Sequence, residues 1–187
     1  MDRSRIMRTV VTALFTALVA AGAFIRIPMV PVPMTLQTFF ALVAAACLPP
    51  TMATVSMLVY LFLGTVGLPI FTSGGGLAAL LGPTGGYLIG LVPAVLAGSL
   101  VMKTSSLIGT RAAAILSVVV TNVLVYLVGL PWLSASLGLS FTATIAAGLL
   151  PYIAGDVVKS VVTVAVAPSV RARVTDLVSR DDDQETC

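Results

Sequence analysis

FTATIAAGLLPYIAGDVVKSVVTVAVAP, residues 141–168, is an apolar run that holds one acid, Asp156, and one base, Lys159. An ionisable side chain near the centre of a bilayer costs about 2.5–3.5 kcal/mol on insertion scales, so each is first a functional-site candidate whose partner must be named. Three residues apart, the two project from one face of a helix and can reach each other or a shared ligand. The competing reading is mutual neutralisation that serves packing alone.

The rest of the chain supports a membrane setting. Hydrophobic residues make up 58% of it and charged residues 9%, against about 45–50% and about 25% in soluble domains. Mean hydropathy is +1.11. The net charge of +3 is small, and the bases sit in short clusters beside apolar segments, which marks them as topology signals rather than a nucleic-acid surface. Cys47 lies in an apolar run and Cys187 ends the chain, so neither a disulfide framework nor a metal-ligand spacing is present.

Hydropathy and breakers predict an all-α integral membrane protein of six transmembrane helices in a single domain, residues 1–173, with a cytoplasmic, disordered tail at 174–187. The first helix covers residues 9–25 after Arg3, Arg5 and Arg8. Its basic start also fits a cleavable signal peptide, but the apolar run is longer than a signal core of about 7–15 residues. Three prolines, Pro28, Pro31 and Pro33, force an extended connection before the short second helix at 39–48. The third helix spans 51–66 and leaves through Gly67-Leu68-Pro69. A glycine-rich connection, 67–86, leads to a fourth helix at about 84–102, and residues 103–111 form a polar turn. The fifth helix spans 112–129 and stops at Leu130-Pro131; the sixth runs from Phe141 to Pro168.

Six spans place both termini on one side. Arg3, Arg5, Arg8, Lys103, Arg111, Arg171, Arg173 and Arg180 fall on that side and only Arg26 on the other, so the positive-inside rule predicts cytoplasmic N and C termini. The three long Pro- and Gly-rich connections then face outward, over the outer half of the last helix where Asp156 and Lys159 sit. An outward pocket with one carboxylate and one ammonium suits a small amphipathic solute with hydrogen-bonding groups, such as a carboxylate-bearing one.

Other chemistries find little support. The chain has no His and no second acid beside Asp156 in the apolar runs, so acid–base catalysis has no pair to use and an enzyme is not expected. Gly82-Pro83-Thr84-Gly85-Gly86 lacks the lysine of a phosphate-binding loop, so energy from ATP would have to come from another polypeptide. No metal or cofactor is implied. On the first helix Ala13, Ala17 and Ala21 recur every fourth residue, a smooth stripe suited to docking a membrane partner or to internal packing.

Three blocks carry a resemblance: Pro31-Val32-Pro33-Met34-Thr35-Leu36-Gln37-Thr38; Gly67-Leu68-Pro69-Ile70-Phe71 through Gly82-Pro83-Thr84-Gly85-Gly86-Tyr87; and Gly155-Asp156-Val157-Val158-Lys159. In this order and spacing the chain resembles the BioY-type biotin transporters, substrate-binding S components of energy-coupling factor (ECF) vitamin transporters. The resemblance implies an S-component fold in a prokaryotic cell (inner) membrane, capture of biotin from outside, and partnership with a transmembrane T subunit and two ATPase subunits. It implies that Asp156 accepts from a ureido N–H of biotin while Lys159 donates to the ureido carbonyl or to the carboxylate. Gly155, Tyr87 and Gln37 join them as pocket candidates. Some relatives carry an asparagine in the loop after Gly-Leu-Pro, where this chain has Thr72 and Ser73, so these two are the candidates for a third polar contact. The family's partner-docking motif corresponds to Ala13 and Ala17, with Ala21 as an extension. Two readings of other classes remain: a solitary ion- or proton-coupled carrier using the acid–base pair as a switch, and a structural membrane protein with no ligand. Association of copies is left open.

Overall fold

A computed structural model describes residues 3–179. Nine α-helices are present among them: α1 (Arg3–Phe24), α2 (Gln37–Cys47), α3 (Pro50–Thr65), α4 (Leu77–Leu81), α5 (Gly85–Val101), α6 (Ser105–Ile108), α7 (Thr110–Leu137), α8 (Phe141–Gly148) and α9 (Ile153–Ser179). Four helical stretches are long and apolar enough to cross a membrane: Ser4–Phe24, Gly85–Ile108, Thr110–Leu137 and Phe141–Val178. Gln37–Cys47 and Pro50–Thr65 are shorter apolar helices. Large apolar side chains such as Val10, Leu14, Phe62, Leu127 and Val161 remain exposed, which suits a hydrocarbon surround where burial gains nothing over lipid contact.

The short α2 is the central post. Every residue from Ala41 to Leu48 is buried, and the helix packs against α1, α5, α7 and α9. A helix apolar on all sides belongs in the middle of a bundle, and its run of alanines lets four neighbours approach closely. The α5 and α7 helices pack along most of their length. There, a Cβ added at Gly86 would fall 2.2 Å from the Trp132 side chain, and one at Gly98 would fall 2.1 Å from Thr121 Oγ1. That pair is a stiff wall.

The structure departs from the sequence reading in four places. The Pro-rich connection contains a two-stranded antiparallel hairpin, β1 (Arg26–Ile27) with β2 (Met34–Thr35). The prolines lie between the strands, where no ladder bond is required of them. The fifth helix does not stop at Pro131. It carries Pro131 inside and ends at Leu137, where Gly138 adopts a left-handed conformation. Pro131 is exposed, while Leu133 behind it is fully buried and the Trp132 indole donates to the Gly82 carbonyl at 3.0 Å; these anchors hold the chain helical across the missing N–H. The sixth helix is two, α8 and α9, joined through a 3-10 turn at Leu150–Tyr152. Pro151 has no N–H to continue the α8 ladder. Finally, α9 passes Pro168 and continues to Ser179, with Val174 and Val178 buried. Residues 180–187, the rest of the expected tail, lie outside the described residues.

Candidate ligand site

The hairpin, the N-terminal turns of α2, α5 and α9, and the middle of α7 surround a narrow cavity of about 70 Å³, smaller than a ligand-filled small-molecule site, so a guest must widen it or extend beyond it. The walls are mostly apolar, with Val32, Met34, Leu88, Leu91 and Val125 in the lining. Polar groups gather on one side. Asp156 sits in the first turn of α9, where the helix dipole favours a carboxylate. One turn on, Lys159 Nζ lies 3.2 Å from Asp156 Oδ1 and donates to Thr38 Oγ1 at 2.9 Å. The Tyr126 hydroxyl donates to Asp156 Oδ2. Lys159 is buried, so these partners are what make an ammonium tolerable there.

A count of donors and acceptors gives the site its chemistry. An ammonium has three N–H donors, and Lys159 spends two within the protein. Each carboxylate oxygen can accept two hydrogen bonds, and each oxygen of Asp156 receives one. One donor and two acceptors are thus left for a guest, side by side at the edge of an apolar chamber.

Of the sequence-predicted residues, Asp156, Lys159, Tyr87, Gln37 and Thr72 all line this cavity. Tyr87 donates to the Gly148 carbonyl at 2.9 Å and meets the Tyr126 ring edge to face, with centroids 6.1 Å apart. Ser73 and Gly155 are placed elsewhere. Ser73 lines a second, outer cavity. Gly155 lies outside the lining, with the Met34 thioether so near that an added Cβ would fall 2.7 Å from its sulfur; the absent side chain lets Met34 form the wall. Ala13, Ala17 and Ala21 are exposed on α1, whereas Gly22 beside them packs on the backbone of α2.

Sequence reasoning missed Tyr126, Asn122, Thr38, Tyr152 and Thr84, all of which line the cavity. A signal existed for two. Asn122 and Tyr126 stand four apart in the largely apolar α7, so they share a face, and the Asn122 amide donates to Ser160 Oγ on α9 at 3.2 Å. Tyr152 had no such signal: its hydroxyl donates to the Val32 carbonyl, tying the hairpin to the 3-10 turn across a separation of 120 residues.

The model of the BioY family matches residues 1–176. The chain belongs to the BioY family. Among its relatives, a probable biotin transporter BioY from Pyrococcus horikoshii is 37% identical over 156 residues, covering 83% of this chain and 90% of that protein. A biotin transporter BioY from Thermotoga maritima is 35% identical, with coverage of 86% and 94%. The fold is similar to a crystal structure of the S-component for biotin from an ECF-type ABC transporter, with a TM-score of 0.79 and 27% identity over 92% of this chain and 94% of that one. These family proteins are transporters, so the chain is assigned to transport rather than to enzyme chemistry.

Proposed function

We propose that this chain is the biotin-binding S component of an ECF-type uptake transporter and that the cavity beside Asp156 and Lys159 is its biotin site. The observation that carries the reading is the unspent hydrogen-bonding capacity there. Two free acceptor positions on Asp156 and one free donor on Lys159 complement a ureido group, which offers two N–H donors and one carbonyl acceptor. The apolar lining suits the ring sulfur and the alkyl tail. The names borne by the family's relatives select biotin among solutes with such groups.

In this reading the chain crosses a prokaryotic cell membrane six times, with α8 and α9 together making the last span and both termini in the cytoplasm. The short α2 needs no full crossing length of its own, because it is walled by other helices and the hairpin completes its outer end. The hairpin and the α3–α5 connection then cover the cavity from outside. Energy comes from a T subunit with two ATPase subunits, docked on the Ala13, Ala17 and Ala21 face of α1.

The test is thermal unfolding of the purified protein with and without biotin. A ligand that binds the native state at a hundred times its Kd stabilises it by about 2.7 kcal/mol, so a saturable upward shift of Tm is expected. Absence of any shift over a wide concentration range would remove the assignment.

A further inference from the structure

We propose that Arg26 and the outer cavity it borders form a second subsite, which takes the carboxylate end of the ligand while the inner cavity takes its neutral hydrogen-bonding end. This deepens the reading above and rests on biotin being the ligand. The outer cavity, about 630 Å³, lies between the hairpin and the α3–α5 connection. It shares Pro33, Thr72 and Thr84 with the inner one, so an elongated guest can occupy both chambers past those three residues.

The charge pattern sets the polarity. Arg26 is the one ionisable residue in the outer lining, and the sequence contains no acid from residue 3 to residue 155. The guanidinium donates to the Thr72 carbonyl, which holds it at the boundary between the chambers. Of its five N–H donors, that bond uses one, and no carboxylate among the described residues pairs with the rest. A tethered guanidinium with spare donors in a basin free of acids is built for a carboxylate. The inner chamber is the opposite case: a ligand carboxylate beside Lys159 would also face Asp156, which lies 3.2 Å from the same ammonium. Like charges at that range repel. Lys159 therefore donates to the ureido carbonyl, and the ligand's anion stays outside with Arg26.

The experiment compares biotin with biotinamide, its neutral analogue, by calorimetric titration of the full chain in detergent. Wild type should prefer biotin by about tenfold, the scale of one partly exposed charge-assisted contact. In Arg26→Gln that ratio should fall to near one, and in Arg26→Lys it should be largely kept. A ratio unchanged in Arg26→Gln, with or without an equal loss for both ligands, would overturn the subsite and leave Arg26 only as a tether of the Thr72 loop. If Arg26→Gln binds neither ligand, Arg26→Lys decides: a kept preference supports the subsite and a lost one overturns it. Failure of wild type to bind either ligand would instead sink the biotin reading itself, and this subsite with it.

Discussion

The sharpest question about Asp156 and Lys159 is whether they bind a ligand or only neutralise each other, and a double-mutant cycle separates the two. At 3.2 Å the pair attracts by about 5 kcal/mol at an effective dielectric of about 20, and desolvation of both ions cancels most of that. Asp156→Asn alone strands a buried ammonium without a counter-charge, its partners reduced to the neutral oxygens of Thr38 and the new amide. Lys159→Met alone leaves a carboxylate held by Tyr126. Each single change should destabilise the ligand-free protein by about 2–4 kcal/mol, toward the lower end because the two side chains keep 15% and 9% exposure. The double variant, Asp156→Asn with Lys159→Met, carries no stranded charge and should lie within about 1 kcal/mol of wild type. Biotin affinity should behave differently, falling at least a hundredfold in all three, because the guest loses its acceptors, its donor or both. Ligand-free Tm reads the first quantity and titration reads the second. A double variant that recovers both stability and wild-type affinity would refute the site and leave the pair as a packing device.

Gly129→Ala would place a Cβ 2.5 Å from the Tyr87 ring, pushing that ring off Tyr126; it should cost about 1–3 kcal/mol of stability and weaken biotin binding, both measurable in one thermal-shift series. Ala13→Leu with Ala17→Leu adds bulk to exposed positions of α1, so Tm and biotin titration in detergent should stay near wild type while copurification with a T subunit is lost; retained copurification would move the docking face elsewhere. With Cys47 and Cys187 replaced by Ser, a cysteine at Ser73 should react with an impermeant maleimide added outside intact cells and one at Ser106 should not. The reverse pattern would invert the proposed orientation.

The fold was legible wherever a single residue type controls a helix end in isolation. Pro50 opens α3 and Gly85 opens α5 within one residue of expectation, because the local backbone leaves no other choice. Pro131 and Pro168 misled for the opposite reason. Whether a proline stops a helix depends on what anchors the following turn, here the fully buried Leu133 and the buried Val174, and those contacts come from residues far away in the chain. The site divides in the same way. Asp156 and Lys159 stood out because charge is rare in apolar sequence, whereas Tyr126 and Thr38 are unremarkable as residue types and gain a role only from the geometry that brings them to that pair.

The division of labour between helices and loops also bears on how a ligand enters. The groups proposed to read the ligand stand on α2, α7 and α9, helices locked together around the buried alanines of α2 and the close crossing of α5 with α7. Moving any of them would break core packing, and bistable change is costly in a close-packed interior. The cover is held differently. The hairpin pairs only Arg26 with Thr35 and Ile27 with Met34, and its side-chain ties to the rest include Tyr152 to Val32 and Arg26 to Thr72. These hydrogen bonds are worth about 0.5–1.5 kcal/mol each, and the apolar contact of Val32 with Leu133 and Tyr152 is a small cluster separate from the main core, so the cover can open locally without disturbing the bundle. Entry should therefore proceed by release of the hairpin and the Thr72 loop over an unmoving floor. If so, amide exchange at residues 26–36 and 68–76 slows on biotin binding while exchange in α2 stays the same; slowing spread evenly through α2, α5 and α7 would instead mean that the whole bundle rearranges to admit its guest.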